Sequence, residues 1–375
     1  MATTFLNANV LGGDTLQICD FSFGDGVISH AMGDRTFDLS GFMILPGIVD
    51  IHGDGFEHHL AKRRGMLKDI QTGLRAAHSE LASNGITTAV MAQFFSWEGG
   101  MRGPEFAAVL LPALREFQQT VPTELVAQLR MEIHMTDQYD QFLGLVRDYD
   151  VPYVVFNDHL PHEALRKGKK PPRLNGQALK AKRSPDQHLA MLQKLHDRHA
   201  QVMADLPTFA TRLLDLGCRL GSHDDHTPEQ RATYAAMGAH ICEFPETRAA
   251  AVAAQGPVLM GAPNFVRGGS HKDNVSAVDL VGDDLVTALA SDYHYPSLWT
   301  AMQQIADARG WGYASGLVSS GPARVLGLHD RGTLDQGKRA DFIIVHQEKM
   351  QIQGTFAAGK PTFVTGDLAE RFMFL

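Results

Sequence analysis

Histidine and carboxylate side chains recur at the ends of short apolar segments in this sequence, and these residue types bind divalent metal ions. The first segment, Ile48–His52, is rich in β-branched residues and follows Pro46 and Gly47, as is typical of a buried strand. His52 and Asp54 are two residues apart, so on a strand both side chains point to the same face. Such a pair can hold a metal ion between its members. The alternative is a turn in which Asp54 caps the next helix.

Similar polar residues follow the later apolar segments. Taken one at a time, such residues are more often helix caps or hydrogen-bonded core histidines. Burying several carboxylates together would be very costly without cations, and two divalent ions would compensate their charge. The segment ends carry, in chain order, Gln93; Glu132 and His134; Asn157, Asp158 and His159; His223, Asp224, Asp225 and His226; Glu243; Asn264; and Asp292.

A two-metal hydrolytic site needs a bridging ligand, terminal ligands and a shared water or hydroxide. The bridge is either a carboxylated lysine or a plain carboxylate. No lysine occurs between Lys68 and Lys167, which leaves Glu132 as the natural bridge. The predicted ligands are His52 and Asp54 for the first ion, His159 and His223 for the second, Glu132 as the bridge, and Asp292 closing the site.

We expect two divalent metal ions. Histidine and carboxylate ligands suit zinc, iron and manganese, and zinc is the ion we favour. Asp292 can bind one ion and also take a proton from the attacking water, so it is the predicted general base. Asp224 and Asp225 are alternative bases, in which case Asp292 is a ligand only.

A basic loop rich in glycine predicts a site for an anion. Arg267, His271 and Lys272 carry positive or potentially positive side chains, and Gly268 and Gly269 leave backbone N–H groups accessible. These three basic residues are therefore candidates for binding substrate. The alternative is a flexible surface loop.

Two further basic segments are candidates for contact with an anionic substrate. Lys62–Arg64 lies just beyond the first predicted strand end, and Arg166–Arg183 follows the strand that ends near His159. The second segment is either a lid or a solvated excursion, and we favour the excursion.

Apolar segments alternate with helical patterns over residues 45–329, which predicts a parallel sheet. Eight repeats favour a closed (β/α)₈ barrel of the TIM type, whose active site lies at the C-terminal ends of the strands. An open doubly wound sheet is the alternative, but no glycine-rich phosphate-binding motif follows the first strand. The predicted strands are Ile48–His52, Ile86–Ala92, Leu129–Met135, Tyr153–Asp158, Arg219–His223, His240–Phe244, Val258–Gly261 and Ala288–Asp292. The predicted helices are Lys68–Asn84, Pro104–Gln119, Gln187–Leu216, Pro228–Met237 and Thr247–Ala254.

The two ends of the chain share a pattern of short strands and turns. Because chain termini often lie close together, residues 1–44 and 330–375 are predicted to form one small β-sandwich domain beside a barrel of residues 45–329.

Composition points to an ordinary globular protein, with 44% apolar and 20% charged residues among 375. The net charge of −8 argues against general nucleic-acid or membrane binding and favours a small-molecule partner. Three widely spaced cysteines predict a reducing compartment. With no signal peptide and no bilayer-length apolar stretch, we expect a cytoplasmic protein. The sequence leaves open whether the chain forms a homo-oligomer.

Several motifs spread over nearly the whole chain match one family. They are Leu45–Ile48, His52–Asp54 with Glu57, Gly221–Asp225, Glu243–Pro245, Leu259–Asn264, Val266–His271 with Asn274 and Val275, Leu289–Tyr293, and Gly332–Asp341. In these motifs the sequence resembles the amidohydrolase superfamily, and more closely its PhnM branch of the carbon–phosphorus lyase pathway. That branch has a His-x-Asp pair on the first strand where most amidohydrolases have His-x-His.

The resemblance implies a metal-dependent hydrolase of the phosphonate pathway. It would cleave α-D-ribose 1-methylphosphonate 5-triphosphate to the 5-phosphate and pyrophosphate, by attack of a metal-bound hydroxide on the phosphorus nearest the ribose. Within the matching motifs, Asn264 and Asp225 join Arg267, His271 and Lys272 as expected substrate-binding residues.

The sequence also departs from the family pattern. His294 separates two tyrosines that are adjacent in the family, and His134, His162 and His226 stand where no histidine is expected. These departures leave the predicted metal ligands intact, and they leave the exact substrate open.

Two other functions compete with this one. A hydrolase of the same fold could cleave a C–N bond, as an amidase or a deaminase does, but a neutral substrate needs no basic loop at Arg267. A non-catalytic binding subunit could carry a structural metal. Structural sites are closed by protein ligands, whereas Asp292 and the surplus polar groups favour an open site that holds water.

Overall fold

The computed structural model describes residues 2–61, 69–269 and 274–373. Its strands are β1 (Thr3–Gly12), β2 (Thr15–Gly24), β3 (Val27–Ser29), β4 (Arg35–Asp38), β5 (Phe42–Pro46), β6 (Ile48–Gly53), β7 (Ile86–Phe95), β8 (Glu124–Glu132), β9 (Tyr153–Asn157), β10 (Arg219–His223), β11 (Ala239–Glu243), β12 (Val258–Gly261), β13 (Ala288–Ala290), β14 (Phe342–His346), β15 (Gln351–Ala357) and β16 (Lys360–Val364).

The α-helices are α1 (Glu57–Leu60), α2 (Ile70–Ser83), α3 (Pro104–Gln118), α4 (Tyr139–Asp148), α5 (His162–Arg166), α6 (Leu174–Lys180), α7 (Pro185–Asp197), α8 (His199–Asp215), α9 (Pro228–Ala236), α10 (Arg248–Val252), α11 (Ala262–Arg267), α12 (Ala277–Gly282), α13 (Pro296–Arg309), α14 (Trp311–Ser315), α15 (Gly321–Leu326) and α16 (Gly366–Met373). Short 3₁₀ turns cover Gly100–Arg102 and Thr136–Gln138, and Gly316–Ser320 is a π-helical turn. In the described ranges, no helix is long and apolar enough to cross a membrane.

Strands β6 to β13 form one sheet in which the spatial order follows the chain, and neighbouring strands run parallel. A parallel bridge between Gly53 and Asp292 links the first strand to the chain just beyond the last, so the sheet nearly closes on itself. The predicted (β/α)₈ barrel is therefore confirmed. An added Cβ at Gly53 would lie 2.6 Å from a carboxylate oxygen of Asp50, which explains why the first strand ends in glycine.

A second sheet contains strands from both chain ends, as predicted, in the order β16-β15-β14-β5-β1-β2-β3, with β4 pairing β1. Phenylalanines fill its core; the rings of Phe342 and Phe356 stack with their centroids 4.7 Å apart, and Phe5 and Phe23 pack against them. These apolar strands bury their aromatic side chains together, which supplies the hydrophobic free energy that holds the two chain ends in one sheet.

Two compact units divide the chain. One comprises Met1–Met91, Glu116–Val126 and Pro257–Leu375, and the other comprises Ala92–Arg115 and Ala127–Gly256. The predicted domain boundaries, 1–44 with 330–375 against 45–329, stay a prediction.

Local sequence explains where the helices of the second unit begin and which face they bury. Ser184 and Gln187 form a reciprocal capping box at the start of α7, and Thr227 caps α9 just before Pro228. Along α8, Val202, Leu206, Phe209 and Leu213 recur at helical spacing and are buried.

The predicted bounds of one helix and one strand were wrong. The helical pattern over 187–216 is two helices, because the chain turns at Arg198 between α7 and α8. The strand predicted to reach Met135 ends at Glu132, where the Met135 N–H donates to the Glu132 carbonyl and closes a turn. The alternating apolar pattern continues through Ile133, so sequence periodicity does not reveal this turn.

Candidate metal centre

Strand ends of the second unit bring together three of the predicted ligands. Glu132 ends β8, His223 ends β10, and His159 lies two residues beyond β9. One nitrogen of His159, one of His223 and one oxygen of Asp224 lie within 4.8 Å of one another. The Asp224 oxygens are 3.8 Å from Nε2 of His159 and 3.6 Å from Nε2 of His223. Two imidazoles and a carboxylate at this separation are a set that a divalent cation can bind.

Glu132 is fully buried, and its carboxylate is held by three donors. The backbone N–H of His159 donates to Oε2 at 3.2 Å, the indole N–H of Trp97 donates to the same oxygen at 3.2 Å, and the His159 ring bonds Oε1. Burial raises the pKa of Glu132, but the charge and hydrogen bonds of His159 outweigh burial and lower it below its ordinary value. The buried oxygens are therefore carboxylate in character, as a metal ligand requires.

His223 has a defined tautomer in this structure. Its Nε2 lies 2.8 Å from Nη2 of Arg130, and its Nδ1 lies 3.1 Å from Oε2 of Glu243. A guanidinium can only donate, so Nε2 accepts and Nδ1–H donates to Glu243. Burial lowers the pKa of His223 to about 4, and Arg130 contributes to the decrease. The neutral imidazole keeps its lone pair on Nε2, the form in which histidine binds a metal.

Glu243 is itself held rigidly beneath His223. It is fully buried, and its Oε1 accepts hydrogen bonds from the Tyr153 hydroxyl at 2.5 Å and from the Gln128 side-chain amide at 2.8 Å. Carboxylates placed in this way orient metal-binding histidines and raise their basicity.

Asp224 and Asp225 differ sharply although they are adjacent. Asp224 has a φ of +60° and is partly exposed, whereas Asp225 is fully buried in an ion pair with the equally buried Arg231, at 2.8 Å. Ser222 donates to the same Asp225 oxygen at 2.5 Å. Burial raises the pKa of Asp225, opposed by Ser222 and Arg231. Asp225 thus holds its own segment in place, and its contact with substrate stays a prediction.

In the first unit, the predicted ligands His52, Asp54 and Asp292 lie where the first and last barrel strands meet. The Asp292 N–H donates to the His52 carbonyl at 2.9 Å, and the Asp54 N–H donates to the Asp292 carbonyl at 2.8 Å. Asp292 has a φ of +55°, in the left-handed region. His52 is buried, and the two aspartates are half-buried.

Asp50 ties these two strand ends together. Its buried carboxylate accepts a hydrogen bond from the Ser291 N–H at 2.9 Å and another from the Ser291 hydroxyl at 2.6 Å. Burial raises the pKa of Asp50, and the bonds from Ser291 oppose that rise. Asp50 therefore positions the backbone that carries His52 and Asp292.

The predicted substrate-binding residues have mixed surroundings. The side chain of Asn264 contacts the first residue of α12: its Oδ1 accepts a hydrogen bond from the Ala277 N–H at 3.0 Å. Arg267 ends α11 and is exposed, and its guanidinium donates to the Tyr293 hydroxyl at 2.5 Å. His271, Lys272 and the basic segment Lys62–Arg64 lie outside the described residues, so their predicted roles stay predictions.

The basic segment 166–183 contains one helix, α6. Leu174 of this helix is buried in an apolar cluster with Trp97, Leu165 and Leu192, and Arg183 donates to the Trp97 carbonyl at 2.9 Å. The segment is thus partly packed, and a lid function stays untested.

Four residues near these groups were absent from the predicted site: Arg130, Glu243, Trp97 and Asp50. The two-residue period of a strand offers a signal for two of them. Arg130 precedes Glu132 by two positions and Asp50 precedes His52 by two, so each shares a strand face with a predicted ligand. No local signal marks Trp97 as a donor to Glu132.

The residues fit a divalent ion in chemistry as well as position. His159, His223 and Asp224 offer the nitrogen and oxygen donors that zinc, iron and manganese accept, and Glu243 orients one of these histidines. When bound, such an ion lowers the pKa of water and polarises a phosphoryl or carbonyl oxygen.

Comparison with known proteins is consistent with this arrangement. No family model matches the chain. The α-D-ribose 1-methylphosphonate 5-triphosphate diphosphatase of Escherichia coli (strain K12) is 29% identical over 353 residues, covering 88% of this chain and 90% of that protein.

Solved structures share the fold at low sequence identity. An amidohydrolase from an environmental sample of the Sargasso sea superposes with a TM-score of 0.61 at 14% identity, covering 99% of this chain and 96% of that one. A 5-methylcytosine deaminase from Klebsiella pneumoniae, liganded with 5-fluorocytosine, gives a TM-score of 0.61 at 12% identity, covering 97% and 98%. Over nearly its whole length the chain shares the fold of these solved structures, and its sequence is similar to that of the Escherichia coli diphosphatase.

Proposed function

We propose that this hydrolase cleaves α-D-ribose 1-methylphosphonate 5-triphosphate to the 5-phosphate and pyrophosphate, using two divalent ions. The observation that carries the metal dependence is the convergence of His159, His223 and Asp224 beside the buried carboxylate of Glu132. The observation that supports the substrate is the sequence relative of that name.

The chain supplies defined parts for such a reaction. The six predicted ligands would hold the ions, and Asp292 would accept the proton of the attacking water on a carboxylate oxygen. Glu243 and Trp97 keep His223 and Glu132 in fixed orientations, which avoids reorganisation during the reaction.

Basic side chains support a phosphorylated substrate over a neutral one. Arg267 presents an exposed guanidinium next to the Tyr293 hydroxyl. In the second unit, the Arg130 guanidinium lies over the Phe94 ring, 3.8 Å from its centroid, beside His223. Guanidinium groups match the geometry of phosphate oxygens and neutralise charge that develops on a leaving pyrophosphate.

The test is a product assay on purified full-length protein loaded in turn with Zn²⁺, Fe²⁺ and Mn²⁺. Pyrophosphate release is measured from the ribose triphosphate and from nucleoside triphosphates, and ammonia release is measured from amides and aminopyrimidines. We expect pyrophosphate from the ribose triphosphate with at least one metal, and none after chelation. A Glu132→Ala variant is the matched control. It removes a predicted ligand that is fully buried, so the residues exposed on the surface stay the same.

Two outcomes would overturn the proposal. Ammonia release without pyrophosphate release would make the protein a C–N hydrolase. Metal-loaded protein that binds the ribose triphosphate but hydrolyses none of these compounds would make it a binding subunit.

A further inference from the structure

A second cluster of potential ligands lies in the second unit, separate from the predicted set. It contains His134, Asp158, His162 and His199, and one ligand atom from each lies within 4.8 Å of the others. His134 follows β8, Asp158 follows β9, His162 opens α5 and His199 opens α8. Four separate segments therefore deliver three imidazoles and one carboxylate to a single point.

The spacing of the four groups matches a bound ion. From the Asp158 carboxylate, Nε2 of His162 is 2.9 Å away, Nδ1 of His134 is 3.6 Å away, and Nδ1 of His199 is 3.9 Å away. Ligand atoms around a tetrahedral zinc ion with bonds of about 2.0–2.1 Å are separated by about 3.3 Å. The observed separations bracket this value, so small side-chain movements would complete the coordination.

Hydrogen bonding alone leaves His134 unsatisfied. Its side chain is fully buried, and within residues 2–61, 69–269 and 274–373 its Nδ1 has no hydrogen-bond partner. Its Nε2 lies 3.0 Å from Nδ1 of His199, so one of these two nitrogens carries the shared proton. If His134 donates, a bare lone pair on Nδ1 faces the Asp158 carboxylate; if His199 donates, the Nδ1–H of His134 points at an oxygen 3.6 Å away, too far for a hydrogen bond.

A cation between these groups removes the conflict, because it accepts the His134 lone pair and neutralises the Asp158 carboxylate. The hydrogen bond between His134 and His199 would break as Nδ1 of His199 turns its lone pair to the ion. The central carboxylate also argues against an anion in the same place. Access from solvent exists: His162 and His199 are partly exposed and line a cavity of about 410 Å³ together with Asp158 and His196.

We propose that His134, Asp158, His162 and His199 form an additional zinc-type site, distinct from the predicted two-metal set. Three histidines and one aspartate close a tetrahedral ion with protein ligands, which is the pattern of structural rather than catalytic zinc. Through its ligands, the ion would connect the first residues of α8 and α5 to the segments that follow β8 and β9. Glu132 and His159 lie within two residues of its ligands, so the site would also hold their backbone in place.

The experiment measures Zn²⁺ binding to metal-stripped, full-length protein by calorimetry. The double variant Glu132→Ala/His223→Ala removes two of the six predicted ligands, including the bridge, and none of the four residues of the cluster. We expect this variant to retain one Zn²⁺ per chain. Adding His199→Ala should lower the Zn²⁺ affinity of that remaining site at least about 100-fold, because one of its four ligands is lost.

His199 suits the test because it is partly exposed in the first turn of a helix, where alanine is well tolerated. Asp158→Asn serves as a second variant that keeps the side-chain shape. The matched control is His226→Ala, which deletes an exposed histidine paired with Glu246, outside the cluster. Co²⁺ loading provides a separate readout, since a four-coordinate site gives strong visible absorption that His199→Ala should abolish and His226→Ala should not.

Zn²⁺ should also raise the melting temperature of the double variant and leave that of the His199→Ala triple variant unchanged. If the folded double variant binds no Zn²⁺, or if His199→Ala and Asp158→Asn leave its binding unchanged, the cluster is a hydrogen-bonded network and the proposal is wrong. If the double variant does not fold, the comparison is made in the parent, where His199→Ala should lose one equivalent relative to His226→Ala. These readouts use no substrate, so they stand or fall independently of the diphosphatase assay.

Discussion

Nη2 of Arg130 lies 2.8 Å from Nε2 of His223, and this contact determines how His223 can act. Because arginine cannot accept a hydrogen bond, the proton of His223 resides on Nδ1 and points to Glu243. An ion that binds Nε2 would replace the guanidinium at that nitrogen. The displaced Arg130 guanidinium would then be available to bind an anionic substrate, so metal binding would favour binding of that substrate.

Glu243→Gln should impair metal binding while the protein stays folded. The amide oxygen still accepts from Nδ1–H but carries no charge, so His223 keeps the tautomer that Arg130 imposes and loses some basicity. We expect metal affinity or turnover to fall about 10–100-fold. Metal titration and kinetics on the same preparation measure the effect.

The matched control for this change is Tyr153→Phe. It removes the hydroxyl that donates to Glu243 but leaves the carboxylate and its contact with His223. We expect a smaller loss than for Glu243→Gln. Equal losses in the two variants would show that packing around Glu243, and not its charge, supports the site.

Asp292→Asn should slow turnover sharply but spare metal content. Asparagine keeps the side-chain shape and a carbonyl oxygen for the metal, but it cannot accept a proton from water. Loss of a general base typically costs about 10²–10⁴ in rate. Single-turnover rates together with metal analysis separate the two roles. A variant that turns over at the parent rate with its ions in place would move the base to Asp224.

Arg267→Ala should weaken substrate binding with little change in metal content. A charge-assisted contact to phosphate is worth about 1.5–3 kcal/mol, so the KM should rise about 10–150-fold. Tyr293→Phe is the control, because it removes the hydroxyl next to the guanidinium and keeps the charge. An unchanged KM in Arg267→Ala would remove this loop from phosphate recognition.

Asp225→Asn should destabilise the fold more than it changes the chemistry. The substitution leaves the Arg231 guanidinium buried without its counter-charge, which typically costs about 3–5 kcal/mol. Urea unfolding measures the loss of unfolding free energy. Asp137→Asn, in an exposed pair with Arg198, should change stability by less than about 0.5 kcal/mol. A stable, inactive Asp225→Asn protein would instead support a direct role in the reaction.

The sequence alone determined the barrel and most of the ligand candidates. Strand and helix periodicities are local, so the eight strands could be recognised within a few residues of their true bounds. Parallel strands deliver their C-terminal ends to one edge, so Glu132, His159 and His223 could be grouped without coordinates. Paired motifs at the two chain ends likewise predicted a shared sheet.

Only the tertiary structure decided which neighbours these residues have. Asp224 and Asp225 are adjacent and of the same residue type. The backbone is left-handed at Asp224, whose side chain is partly exposed, whereas Asp225 is buried in an ion pair with Arg231. His134 and His199 are 65 residues apart, and their contact depends on how α8 packs against the barrel. Side-chain contacts across such distances depend on packing geometry, which no local pattern encodes; for that reason the histidine cluster could not be predicted from the sequence.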